Sequence, residues 1–212
     1  MKSYDVVIIG GGFTGLWAAY YLLQADPSLK VVLLEREFAG FGASGRNGGW
    51  ASSIFPVSLA RVEQLYSHRA ALDLQAAMND TVSEMGRVVD AEGIDCEYAR
   101  DGFVSLARSE AQWARAKATV AGAEKFGTRG QWQLLDSAAA QEEINATDGL
   151  GGIYTEHCAL LHPDKLVRGL AGWVEEHGAV IYEDTAVDEI GKGIVWTEHG
   201  SVTASVVIRA TE

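Results

Sequence analysis

Glycine at positions 10, 12 and 15 and glutamate at position 35 form a set able to hold a diphosphate and a sugar. Gly10, Gly12 and Gly15 fit the spacing G-x-G-x-x-G, and each missing side chain has its own use. At the first position glycine permits a tight turn, at the second it lets a pyrophosphate approach bare backbone, and at the third it lets a helix pack closely on a strand. Phe13 and Thr14 lie where that helix opens. Its unpaired N–H groups carry about half a positive charge, worth roughly 0.3–1 kcal/mol to an anion. Glu35 stands 20 positions beyond Gly15. A carboxylate there can accept both hydroxyl protons of an adenosine ribose and repels a 2′-phosphate, which disfavours NADP. A glycine turn that served close packing alone would leave Glu35 unexplained.

Such a set works only with a strand before it and a helix after it. Residues 6–9, VVII, are β-branched throughout, as suits a parallel strand buried on both faces. From 14 to 24, Leu16, Ala19, Tyr20 and Leu23 share one helical face, and ADPS supplies a stop. Residues 30–34, KVVLL, read as a second buried strand, so 6–34 forms a strand, helix, strand unit of the ~30 residues a crossover needs. The chain then enters REFAGFGASGRNGGWASSIFP, residues 36–56, where Gly40, Gly42, Gly45, Gly48 and Gly49 alternate with Ser44, Arg46 and Asn47. Ordering so glycine-rich a loop costs conformational entropy and calls for a group that accepts many backbone hydrogen bonds; a flexible surface loop is the alternative.

The glycine joint, Glu35-Arg36 and GASGRNGG together resemble the FAD-dependent D-amino acid oxidase-like superfamily, in particular its glycine oxidase-like and gamma-glutamylputrescine oxidase-like branch. ALLHPDKLVRGLAGWVEEHGAVIYEDTAVDEI and VVIRAT are similar to the family's later helix and strands, so the likeness runs along the whole chain. The resemblance implies FAD held by Gly10, Gly12, Phe13, Thr14, Gly15, Glu35 and Arg36, with the loop of Ala43, Ser44, Arg46, Asn47, Gly48 and Gly49 passing along pyrophosphate and flavin; GRNGGW offers no His or Cys for a covalent flavin bond, so noncovalent FAD is expected. Val187 would meet adenine through its backbone, and Ala210 and Thr211 lie where a strand returns to the cofactor. The implied reaction is hydride transfer to flavin from a carbon bearing the nitrogen of a small amine or amino acid. No catalytic acid or base is assigned. His157, Cys158 and His162 do not read as a nucleophile pair, because Pro163 and Asp164 mark a helix start.

Composition sets the outer bounds. With 48% hydrophobic and 22% charged residues, the chain of 212 can bury a core, and a net charge of −12 argues against nucleic acid or an anionic membrane as partner. No stretch reaches the ~20 apolar residues of a membrane span, and a cytoplasmic protein is expected. Cys96 and Cys158 are isolated, without metal-ligand spacing, and read as structural thiols. Residues 58–93 carry Leu59, Val62, Leu65, Leu72 and Met78 at helical spacing; 110–126 reads as a helix with Trp113, Val120 and Ala121 inward. A hairpin is expected over 96–107 about Arg100-Asp101-Gly102, and another over 193–211 about His199-Gly200.

The expected fold is α/β: a Rossmann-like FAD-binding domain with a parallel sheet, from 1–56 and 151–212, and a helical and hairpin insertion over 57–150 belonging to an incomplete second lobe. By the resemblance the chain reads as the N-terminal part of an oxidase, truncated after 212. Surface meant for the remainder would then be exposed and prone to self-association. Two other readings stand beside the oxidoreductase: a dinucleotide-binding fragment without turnover, and an NAD-dependent dehydrogenase.

Overall fold

The computed structural model describes residues 2–211. In chain order the elements are β1 (Lys2–Ile9), α1 (Phe13–Ala25), β2 (Val31–Leu34), α2 (Ala43–Arg46), β3 (Trp50–Ser52), α3 (Leu59–Leu65), α4 (His68–Ala91) and β4 (Phe103–Ala107). There follow α5 (Glu110–Phe126), β5 (Gln133–Asp136), α6 (Ser137–Glu143), β6 (Gly151–Thr155), β7 (Cys158–Leu160), α7 (Pro163–Glu176), β8 (Val180–Tyr182), β9 (Val187–Gly191), β10 (Ile194–Thr197) and β11 (Gly200–Arg209). They form two compact units. One comprises the chain up to Gly49, Val89–Glu97 and everything from Leu161 on; the other comprises Trp50–Val88 and Tyr98–Leu160.

The first unit is a six-stranded sheet in the order β8-β2-β1-β11-β10-β9. Its first four strands run parallel, with Val6 opposite both Val31 and Val206, and β10 and β9 continue antiparallel through the turn between Thr197 and Gly200. Strand alternation sends Val7, Ile9, Val32 and Leu34 to one face, where they form a core with Val195 and Ala204 of the antiparallel part. Val6, Ile8, Val31 and Leu33 point the other way and are equally buried. That face carries α1, which buries Leu16, Ala19, Tyr20 and Leu23, and α7, which buries Leu166, Val167, Leu170, Trp173 and Val174. The unbroken apolar runs of β1 and β2 follow from this double coverage.

A carboxylate pins the two helices to the returning segment of 89–97. Glu92 accepts the Tyr20 hydroxyl at 2.7 Å on Oε1 and the Trp173 indole N–H at 2.7 Å on Oε2, and the Gln24 amide also donates at 3.2 Å. The Tyr20 and Trp173 rings are 4.4 Å apart. Glu92→Ala removes the acceptor shared by these donors. It is expected to destabilise the chain by about 2–3 kcal/mol, read as a lower urea midpoint at unchanged slope.

The second unit holds the antiparallel sheet β4-β6-β5 and the two-stranded ladder β3-β7, with α3, α5, α6 and most of α4. Three local expectations are corrected here. First, 96–107 is not a hairpin: Ala99 exchanges backbone hydrogen bonds with Leu160, while Phe103–Ala107 pairs with β6. Alternation marks both arms as extended, but the partner of each is distant in sequence. Second, α5 turns Ala116 inward and leaves Ala121 exposed. Third, 36–56 is not loop throughout, since α2 and β3 lie within it; because β3 pairs with β7, the second unit begins at Trp50 and runs to Leu160, wider than 57–150.

Candidate functional site

A cleft of about 380 Å³ opens at the C-terminal ends of β1, β2 and β11, where the first glycine turn lies. It is lined by Gly10, Gly12, Phe13, Thr14, Glu35, Arg36, Ala43, Ser44, Val187, Ala210 and Thr211, brought together from five separate stretches of sequence. The three glycines act differently. Gly10 has φ +110° and faces the Ala210 carbonyl, which a Cβ would approach to 2.6 Å. At Gly15, buried behind the cleft, a Cβ would overlap the Gly10 carbonyl oxygen, so the absent side chain lets α1 sit against the turn. At Gly12 the missing side chain leaves cleft space: a Cβ there would meet Ser44 and no other residue within 4 Å.

Gly12 is the N-cap of α1 and brings no side chain to it. Ser44 takes over, its Oγ accepting the Phe13 N–H at 2.9 Å. Ser44→Ala leaves that amide without this acceptor and is expected to lower stability by about 1 kcal/mol, measured from urea midpoints. Glu35 also holds backbone. Its Oε2 accepts the Gly11 N–H at 2.7 Å and its Oε1 the Glu37 N–H at 3.0 Å. A carboxylate has about four acceptor positions, so two remain for hydroxyl donors. Main-chain bonds from Glu35 N–H to the Tyr182 carbonyl at 2.9 Å and from Thr185 N–H to the Glu35 carbonyl at 2.8 Å bind the 182–185 segment to the end of β2.

The glycine loop after β2 repeats the geometry of the first turn. Gly40, Gly42 and Gly45 have the same G-x-G-x-x-G spacing as Gly10, Gly12 and Gly15. Gly40 has φ +82°, and a Cβ on Gly45 would overlap the Gly40 carbonyl oxygen. Gly40 N–H donates to the Gly11 carbonyl at 3.0 Å, so the two turns are joined. Gly40 and Gly42 line the cleft with Phe41, Leu34, Thr185 and Ala186. The repeated spacing was available in the sequence; nothing local marks Thr185 and Ala186.

Arg46, Asn47, Gly48 and Gly49 stand outside this cleft. The Arg46 guanidinium lies 4.7 Å from the centre of the Phe41 ring, and its Nε donates to the Gly42 carbonyl. Asn47 closes α2, donating to the Ala43 and Ser44 carbonyls and accepting the Gly49 N–H. Gly48 is exposed, and Gly49 has φ +70°, with no room for a Cβ beside the Leu161 carbonyl. Cys158 and His162 have structural partners. Cys158 Sγ contacts Ser52 Oγ at 3.3 Å, and His162 caps α7 by accepting the Lys165 N–H. Burial holds the His157 imidazole below its usual pKa. Among the described residues no group of His, Cys, Asp and Glu is placed to hold a metal ion, and no helix is long and apolar enough to cross a membrane.

The chain is 34% identical over 210 residues to gamma-glutamylputrescine oxidoreductase of Escherichia coli K12, matching 97% of this chain and 48% of that protein. It is 30% identical over 212 residues to the probable oxidoreductase OrdL of Haemophilus influenzae, covering 98% and 48%. It therefore spans about half the length of the curated relatives it matches. The fold superposes on glycine oxidase from Geobacillus kaustophilus with a TM-score of 0.75 at 23% identity, over 100% of this chain and 56% of that one. The model of the family described as FAD dependent oxidoreductase matches residues 5–212, and the chain belongs to that family.

Proposed function

We propose that this chain holds FAD noncovalently, with the diphosphate over Gly12 and the adenosine ribose on Glu35, as part of an oxidoreductase acting on the C–N bond of a small amine or amino acid. The observation that carries the reading is the open side of Gly12, a space that a single Cβ would begin to fill, set at the start of α1. Both free acceptor positions of Glu35 suit the ribose hydroxyls, and Val187, Thr185 and Ala186 form the wall available to adenine. Arg46, Asn47, Gly48 and Gly49 then act by shaping the loop towards the flavin. When bound, FAD supplies the two-electron acceptor. The residues described here position it and contribute no acid or base. The amine substrate rests on the likeness to gamma-glutamylputrescine oxidoreductase.

The test is calorimetric titration of the 212-residue chain with FAD, followed by anaerobic addition of gamma-glutamylputrescine, glycine, sarcosine or a D-amino acid. Saturable binding, with all flavin released into the supernatant on acid precipitation, supports the cofactor reading; no heat refutes it. Bleaching of the flavin's visible absorption by one of the amines supports the reaction. Binding without bleaching by any of them leaves a dinucleotide-binding unit without turnover.

A further inference from the structure

A second cavity, about 620 Å³, lies in the same unit beneath the turn joining β10 and β11. It is lined by the apolar residues Leu34 and Val202 and by Tyr182, Lys2 and His199. Lys2 Nζ donates to Tyr182 Oη and lies 5.1 Å from the centre of that ring. The Tyr4 hydroxyl is 3.5 Å from the same oxygen. Burial and the neighbouring phenol push Tyr4 up to about 12, whereas the ammonium beside Tyr182 holds that hydroxyl below its usual value. The ammonium donating to its oxygen polarises the Tyr182 hydroxyl toward donating its own proton to a ligand. Lys2 uses one of its three N–H groups on Tyr182, which leaves others for a ligand.

We propose that this cavity binds a small carboxylate with an apolar body, its carboxylate held by Lys2 and Tyr182 and its body lying against Leu34 and Val202. Charge complementarity selects the class: a cation and a polarised phenol lie at the edge of an apolar hollow in a chain of net charge −12. Leu34 and Thr185 line both this cavity and the glycine-turn cleft. His199 Nε2 lies 3.2 Å from the Asp184 carbonyl, and the Asp184 N–H donates to the Glu37 carbonyl at 2.7 Å. The segment 182–185 is therefore a common wall, and occupancy of one cavity alters affinity in the other. Only that coupling rests on the FAD reading.

The probe is 3-phenylpropionate, titrated into the 212-residue chain by calorimetry, with 3-phenylpropionamide as the uncharged control. Saturable binding of the acid, at least about tenfold tighter than the amide and weakened about tenfold or more in Lys2→Met and in Tyr182→Phe, is the expected result. Gly12→Val keeps this binding, because its substitution lies in the other cleft. No saturable binding, equal affinity for acid and amide, or indifference to both substitutions overturns the site. If circular dichroism shows either variant unfolded, the acid-against-amide comparison on the unmodified chain decides. Repeating the titration with saturating FAD tests coupling: a changed affinity supports it, and an unchanged one removes coupling while leaving the site. A chain that binds the acid and not FAD retires the cofactor reading alone.

Discussion

Gly12→Val is expected to weaken FAD binding by at least about a hundredfold while leaving the fold intact, with a loss of stability no larger than the ~1 kcal/mol expected for Ser44→Ala. The two halves of this expectation have separate causes. Gly12 has φ −87° and ψ −173°, an extended conformation open to any L residue, so valine brings no backbone strain. Its Cβ would lie 2.8 Å from Ser44 Oγ, the end of a side chain that can rotate at the cost of its bond to the Phe13 N–H, and 3.7 Å from Ser44 Cβ. The two methyl groups then extend into the space a diphosphate would occupy. Gly15→Val is the contrasting case: its Cβ would overlap the Gly10 carbonyl, which is backbone and cannot rotate away, and would come 3.2 Å from Ile8 Cγ2 in the core. That variant is expected to lose fold and binding together. Calorimetry with FAD and thermal melting by circular dichroism separate the two. Unchanged FAD affinity in a folded Gly12→Val chain would show that the diphosphate lies elsewhere.

Much of this contrast is legible in the sequence. The spacing of Gly10, Gly12 and Gly15 and the runs of 6–9 and 30–34 are local patterns, and a parallel strand covered on both faces leaves an uninterrupted apolar run. Pro163 at the start of α7 and the turn at Glu198-His199, one residue before the expected His199-Gly200, are local in the same sense. What escaped was long-range pairing. Residues 96–99 alternate as a strand does, yet Ala99 takes Leu160 as partner, and no feature of the segment itself names that choice. The double duty of Glu35 escaped too, because the distance from its carboxylate to the Gly11 and Glu37 amides exists only once the β2 end and the glycine turn are side by side. The second glycine turn is a different case: Gly40, Gly42 and Gly45 carry the G-x-G-x-x-G spacing openly in the sequence.

That double duty makes Glu35→Gln the other large expectation. A carboxylate offers only acceptors, and both of its oxygens face backbone N–H groups, Gly11 at 2.7 Å and Glu37 at 3.0 Å. A carboxamide has one oxygen and one NH₂. However it is turned, one of those amides then faces another donor, at a cost of about 1–3 kcal/mol for the unmet group. The melting temperature of the cofactor-free chain should fall accordingly. FAD affinity, measured on the folded fraction, should fall by a further ten- to hundredfold, because a ribose hydroxyl loses a charge-assisted partner worth about 1.5–3 kcal/mol. Removing the charge also lifts the repulsion toward a 2′-phosphate, so the preference for ADP-ribose over its 2′-phosphate, read by competition against FAD, should narrow. A stability loss with FAD affinity and ADP-ribose preference both unmoved would mean that Glu35 braces the glycine turn and touches no sugar.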